Sequence, residues 1–461
     1  MRSGGGERTS EVIAVTMEYR QGELEWYGQN LSRMTSGLET PLYVISRQAL
    51  QRSVRDFLGP FEESAQPVKI HYSVKTNPVP GFLRLLEQEG VGVEVISEYE
   101  LDLVESLGFP PQEIIVNGPS KSIKTLRRVI QKPVKMVTIE SEGEFSRLNA
   151  VSREAGMPVN VGLRICPELQ SGRWDPTLNS GSKHSPYGFV PNSRELWEIL
   201  AEIKKNRSLR LVGFHLHLGS GIKDSRPYKK AFSILEKVVT AARLRGFQTH
   251  LLDIGGGFGT PSSPVYSFPQ LAMAAVCKKP PPLREVGRRP LLSEVAQGLA
   301  RLISRLKRSG VVIKEVVTEP GRIISGPVQI VILTVLDVIE RKKGERFLIC
   351  DGGAMSLSPL LLTEFHRILP LSANGGKWIE YTLLGNLPSQ LDKLSLAAVL
   401  PRAAPGDRLA LLDAGAYFVS FNNNFAGPRP GILLIDEEGP KLIRRRETFQ
   451  EVFQRDLMGR N

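Results

Sequence analysis

The chain has 461 residues, of which 41% are hydrophobic and 23% charged, and carries a net charge of +12. That length exceeds one ordinary core and points to two domains. The composition is that of a globular protein and excludes collagen-like, disulfide-stapled and wholly disordered chains. The positive excess is spread out, with short runs only at Lys278–Arg289 and Arg444–Arg446, and no nucleic-acid-binding motif accompanies it.

Residues 2–10 are rich in Gly and Ser and are expected to be disordered. Met1 to Tyr19 carries Glu7 and Glu11 and lacks a long apolar core, so no signal peptide is read and a cytoplasmic location is expected. From Leu42 to about Arg322, short apolar segments alternate with amphipathic ones. The strand candidates are Val68–Tyr72, Val91–Ile96, Ile114–Val116, Lys135–Ile139, Val159–Ile165, Leu211–Leu218, His250–Ile254 and Val312–Thr318. Helix-like stretches between them include Gly81–Gln88, Glu98–Leu107, Ile123–Ile130, Ser141–Glu154 and Tyr228–Arg245. Repeated β-then-α units imply a parallel sheet, and this many predict a closed TIM-like (β/α)₈ barrel. Thr260–Pro290 breaks the rhythm with Pro261, Pro264, Pro269 and Pro280-Pro281-Pro282, and reads as a partly irregular surface insertion.

After Gly326 shorter apolar stretches follow, at Gln329–Ile339, Arg346–Ile349, Trp378–Leu383, Arg408–Leu412 and Gly431–Ile435, parted by turn-forming runs. They predict a second, mostly β domain, a barrel or sandwich. The expected division is a tail and joining segment over 1–41, the barrel over 42–325 and the β domain over 326–461. Val328–Ile339, broken by Gln329 and Asp337, is too short to span a membrane. Cys166, Cys277 and Cys350 show no metal-ligand spacing and fit a reducing compartment.

The chemistry-bearing residues fall at predicted strand ends, where such barrels place their sites. Lys75 closes His71-Tyr72-Ser73-Val74-Lys75-Thr76-Asn77-Pro78, and a lysine amine there can condense with an aldehyde cofactor. Gly255-Gly256-Gly257, with Gly259 behind, can bring backbone N–H groups close to a phosphate, although many triple-glycine turns are only turns. In Thr318-Glu319-Pro320-Gly321-Arg322, Glu319 can pair with a protonated pyridine nitrogen, and Gly321 and Arg322 can meet a phosphate. The plain alternative there is a strand-end turn with an ion pair. In His215-Leu216-His217-Leu218-Gly219-Ser220, two histidines share a strand face. No third ligand accompanies them, so no metal is expected: one imidazole is read as stacking on a flat ring, Ser220 as a phosphate donor and His215 as a core residue.

Together these motifs resemble the alanine-racemase-like PLP enzymes, and within them the ornithine/diaminopimelate/arginine decarboxylase group, closest to diaminopimelate decarboxylase. The resemblance runs from Thr40-Pro41-Leu42-Tyr43-Val44 to Asp413-Ala414-Gly415-Ala416-Tyr417. It implies pyridoxal 5'-phosphate on Lys75, stacked by His217 and paired with Glu319. Ser220, Gly255, Gly256, Gly257, Gly321, Arg322 and Tyr417 would complete the cofactor contacts. Glu94, Ser97, Glu100, Asn117-Gly118 and Arg164 are further matches, with Arg164 and Asp392 assigned to the substrate. A glutamate facing the pyridine favours decarboxylation over racemisation, for which the family's racemases use arginine. The resemblance also implies a homodimer whose sites are completed across the interface, with Asp392 supplied by the partner.

The substrate half departs from this pattern. A loop of the form Gly-Pro-x-Cys-(Asp/Glu)-x-x-Asp, whose cysteine helps protonate product and whose acid reads the substrate amine, appears as Gly385-Asn386-Leu387-Pro388-Ser389-Gln390-Leu391-Asp392. Proline has no proton to give. An arginine that grips a substrate carboxylate before proline is replaced at Ser358-Pro359, and Gly427 in Asn424-Phe425-Ala426-Gly427-Pro428 stands where another arginine is expected. Serine does not replace guanidinium geometry. The readings open from sequence are decarboxylation of diaminopimelate or of a modified, even carrier-bound, amino acid; racemisation; and non-catalytic PLP binding.

Overall fold

The computed structural model describes residues 17–64, 67–169, 180–260, 262–277, 288–342, 344–373 and 375–457. The tail at 2–10, Pro261 and the Pro280–Pro282 run lie outside the described residues. After a small hairpin (Met17–Arg20 with Glu23–Trp26), the chain forms β1, Leu42–Ser46, and a helix, α1, Arg47–Glu63. Ser46 caps this helix by accepting from Ala49 N at 3.2 Å. Its buried residues include Leu50, Val54, Phe57 and Phe61, the three-to-four spacing that presents one face to a core.

Eight strands then close a parallel barrel: β2 Val68–Ser73, β3 Gly92–Val95, β4 Ile114–Val116, β5 Met136–Ile139, β6 Val159–Ile165, β7 Leu209–Leu216, β8 Leu251–Asp253 and β9 Glu315–Thr318. Every predicted barrel strand is present, with ends shifted by up to three residues. Four of the intervening helices begin at a serine whose hydroxyl accepts a helix N–H: Ser97, Ser122, Ser141 and Ser193. The loops above the barrel therefore end at fixed points, and side chains at strand ends are held from both sides.

The second sheet runs in the order Lys393–Pro401, Trp378–Leu384, Arg346–Cys350, Gln329–Glu340, β1, Gly431–Asp436, Gly439–Arg444, with Ile368–Pro370 and Arg408–Leu411 off that path. Here the pairing differs from the sequence reading at one end. Leu42–Ser46, assigned to the start of the barrel unit, pairs antiparallel with Gln329–Glu340 and parallel with Gly431–Asp436. Its five residues are all buried, as a strand covered on both faces must be.

Thr260–Pro290 is not wholly irregular. It contains a helix, Phe268–Cys277, and a second helix, Arg288–Arg308, begins within it. Among the described residues, no helix is long and apolar enough to cross a membrane.

Candidate active site

The site is built from the C-terminal ends of the barrel strands, closed on one side by the second domain. Parallel register sets the first contact. Ser73 on β2 is the register partner of Glu94 on β3, and its Oγ donates to Glu94 Oε2 at 2.5 Å. The chain leaves β2 through one 3-10 turn, Val74–Thr76, which turns Lys75 back over this pair. Lys75 Nζ donates to Ser73 Oγ at 2.7 Å and lies 3.1 Å from Glu94 Oε2. Burial works to lower the Lys75 pKa, but Glu94, Tyr417 and Glu319 outweigh it and hold the amine above its usual value. The lysine is thus held charged beside Glu94, and is not kept neutral by desolvation.

The lysine turn is fastened from the second domain. Tyr417 N donates to Thr76 O at 2.8 Å, Ser420 Oγ to Lys75 O at 2.6 Å, and Asn77 Nδ2 to Gln329 Oε1 at 3.1 Å. Ser420 and Gln329 were not singled out as site residues from sequence, because their role exists only once the two domains meet.

Across the barrel, Arg164 on β6 is in register with His215 on β7, and His215 with Asp253 on β8. This layer surrounds Glu319, which follows β9. Asn117 Nδ2 donates to Glu319 Oε1 at 2.6 Å, and His215 Nε2 lies 3.2 Å from Glu319 Oε2. Burial works against a charged Glu319, but His215 and the neighbouring Asp253 hold its carboxyl below the usual range. Asp253 moves the other way: burial, then the Glu319 charge, raises it well above the usual range, so it keeps its proton beside ionised Glu319. His215 is therefore a partner of Glu319 and not a plain core residue. Asp253 was missed; an acid ending the apolar run Leu251–Leu252 was the available signal.

His217, beyond β7, lies 6.4 Å from His215 between ring centroids at 30°. Burial, then Arg164 and Lys75, lowers its pKa well below 6.5 and keeps the imidazole neutral, as a stacking ring should be. Ligand atoms of His215, His217 and Glu319 lie within 4.8 Å of one another, so the third group not found beside the histidines in sequence is Glu319.

The glycine run is tightly fitted. A Cβ on Gly255 would come 2.1 Å from Leu216 O, and one on Gly256 2.1 Å from Glu319 O. Gly321 has the same constraint, 2.1 Å from Thr76 Oγ1. Ser220 is exposed beside this run. Arg322 Nη1 donates to Glu364 Oε2 at 2.5 Å, and its guanidinium lies 5.3 Å from the Tyr417 ring centroid. Arg164 Nη1 donates to Glu140 Oε2 at 2.6 Å, and Lys121 pairs with Glu144 at 2.6 Å close by. Ser97 caps the helix Glu98–Ser106, and Glu100 accepts from Ile96 N at 2.8 Å. Burial raises the Glu100 carboxyl to about 7.

The departures from the family pattern have definite positions. Pro388 is exposed. Asp392 is 1% exposed, and its carboxylate accepts from Met355 N at 2.9 Å and Leu387 N at 3.0 Å. In this chain it braces its own loop. Ser358 is buried, its Oγ donating to Tyr417 O at 3.2 Å. Gly427 has open space where a Cβ would stand. Cys350 is fully buried, and burial pushes its thiol up to about 12, which leaves it inert.

The residues fit a flat phosphorylated heterocycle. A buried ionised carboxylate, a neutral imidazole and a tight glycine cradle converge, while Arg322 Nε and His215 Nδ1 are buried without a hydrogen-bond partner. Comparisons with known proteins agree. The family described as "Pyridoxal-dependent decarboxylase, pyridoxal binding domain" matches residues 48–326. The diaminopimelate decarboxylase of Aquifex aeolicus is 28% identical over 443 residues, covering 96% of this chain and 97% of that one. The Pseudomonas aeruginosa enzyme of the same name is 28% identical, covering 95% and 98%. A crystal structure of the Methanocaldococcus jannaschii diaminopimelate decarboxylase with L-lysine superposes with a TM-score of 0.85 at 22% identity, covering 96% and 98%. With fold, site and relatives in agreement, the chain belongs to the pyridoxal-dependent decarboxylases, PLP-dependent amino-acid carboxy-lyases of diaminopimelate-decarboxylase-like architecture.

Proposed function

We propose that the protein removes the α-carboxylate of an amino acid whose side-chain end is read differently from that of diaminopimelate, with Lys75, His217 and Glu319 as its catalytic residues. The observation that carries this is the Glu319 carboxylate, buried and held by Asn117 Nδ2 at 2.6 Å and His215 Nε2 at 3.2 Å at the end of β9. PLP, when bound, supplies the electron sink that accepts the charge left by departing CO₂. Glu319 stabilises a protonated ring nitrogen, which deepens that sink and disfavours racemisation. Neutral His217 supports the ring's face. Lys75 supplies the amine that holds the cofactor, and Glu94 takes up its charge when it is released. Gly255, Gly256, Gly257, Ser220, Gly321 and Arg322 bind the phosphate, and Tyr417 closes the cofactor's side.

The altered recognition is supported by Pro388 in an exposed loop and by Ser358, whose hydroxyl is engaged by backbone. Product is protonated by water or by a group other than residue 388. The barrel, β2 to β9, carries the cofactor, the second sheet, which β1 joins, closes it, and a second copy of the chain is the partner. Mass spectrometry of a panel of α-amino acids incubated with holoenzyme, free and linked through their side chains including to a carrier protein, should show loss of CO₂ from at least one. Inverted α-centres without CO₂ loss would replace this reading with racemisation.

A further inference from the structure

The Arg322 guanidinium lies 5.3 Å from the Tyr417 ring centroid, and it is already paired. Its Nη1 donates to Glu364 Oε2 at 2.5 Å, with side-chain exposures of 8% and 2%. Burial alone would raise Glu364, but Arg322 and His366, whose Nε2 is 3.7 Å from the same carboxylate, bring it below the usual range and keep it charged. Nε of Arg322 remains as a buried unpartnered donor, which the proposed phosphate contact would use. Together these set a buried, charged carboxylate directly against the guanidinium, so that another anion here would meet Glu364 as well as Arg322.

Glu364 is also held in place. It follows the turn Pro359–Leu362 and forms an antiparallel bridge with Val265. Tyr266 N donates to Thr363 O at 2.8 Å and Phe365 N to Pro264 O at 3.1 Å. The start of the 260–290 insertion thus forms a short two-sided clamp on the segment that delivers this carboxylate. Ser358, where the resemblance places a carboxylate-gripping arginine, lies on the same turn and spends its hydroxyl on Tyr417 O and Leu360 N. Among the described residues, Lys75 is paired with Glu94, Arg164 with Glu140 and Lys121 with Glu144, while Lys223 Nζ donates to Val265 O at 2.9 Å. A second substrate carboxylate brought here would meet a neutralised guanidinium and a fixed negative charge, an arrangement that rejects anions more than it attracts them.

We propose that Glu364, clamped by the 262–267 segment, is a specificity-determining residue that occupies Arg322 and turns the site toward α-amino acids whose far end carries no carboxylate, such as amide-masked ones. This rests on the decarboxylase reading but is tested separately from it. Holoenzyme is titrated with diaminopimelate and with the derivative whose distal carboxyl is an amide, reading both the shift of the cofactor's absorption band and CO₂ release. The wild type should bind the amide about tenfold or more tightly than the free acid. Glu364→Gln should narrow or reverse that ratio mainly through KM, and Glu364→Asp should retain it. Equal or tighter binding of the free acid by the wild type overturns the proposal without any variant, as does an unchanged ratio in a folded Glu364→Gln, or no band shift with either compound. Band shifts in the expected order without CO₂ would support this proposal and count against decarboxylation alone.

Discussion

Replacing Glu319 with glutamine keeps the shape of the side chain and removes its charge. In the wild type both carboxylate oxygens are engaged, Oε1 by Asn117 at 2.6 Å and Oε2 by His215 at 3.2 Å, and a protonated Asp253 lies alongside. A glutamine can accept from Asn117 but no longer compensates a positive ring nitrogen. A buried hydrogen bond to a charged group contributes about 1.5–3 kcal/mol. If that interaction strengthens as charge enters the ring, its loss should slow turnover by roughly ten- to 150-fold. The assay is steady-state CO₂ release at saturating cofactor, with bound PLP quantified by absorbance and folding checked by circular dichroism. Glu319→Gln that keeps its cofactor and turns over within about twofold of wild type would refute the assignment.

Three further outcomes are expected. Burial raises Glu100 from 4.5 to about 7, so the folded state binds more protons than the unfolded one between these values and the group's contribution falls as pH rises through them. Glu100→Gln should therefore gain stability relative to wild type more at pH 8 than at pH 5, by at most about 3 kcal/mol, in denaturant melts. Asp392→Ala removes acceptors for Met355 N and Leu387 N and should cost about 2–4 kcal/mol of unfolding free energy; a large rise in KM with stability unchanged would instead make Asp392 a substrate reader. Gly256→Ala places a methyl 2.1 Å from Glu319 O and should lose about 1–3 kcal/mol together with cofactor affinity, measured by melting and PLP content.

The barrel was legible because its signal is local: apolar runs such as Val159–Ile165 end where polar chemistry begins, and amphipathic stretches separate them. Lys75, Glu319 and the glycine run stood out as candidates because cofactor binding would demand fixed residue types at strand ends. Leu42–Ser46 falls inside the 42–325 unit of the sequence reading without being named a strand, since a fully buried strand carries no alternation, and its pairing with Gln329–Glu340 is visible only in the fold. The partnership of His215 and Asp253 with Glu319 was hidden because it depends on barrel closure, which joins residues 104 apart in sequence for the His215 contact. Glu364 gave no signal at all. A lone glutamate after a turn becomes a buried charge only when the second domain packs onto Arg322.

Borohydride reduction of the holoenzyme, followed by peptide mass spectrometry, tests the central assignment most directly. The account predicts that the reduced pyridoxyl phosphate mass appears on the peptide containing Lys75, and that Lys75→Ala loses both this adduct and the cofactor's long-wavelength absorption. An adduct on a different lysine, or an absorption band unchanged in Lys75→Ala, would contradict it.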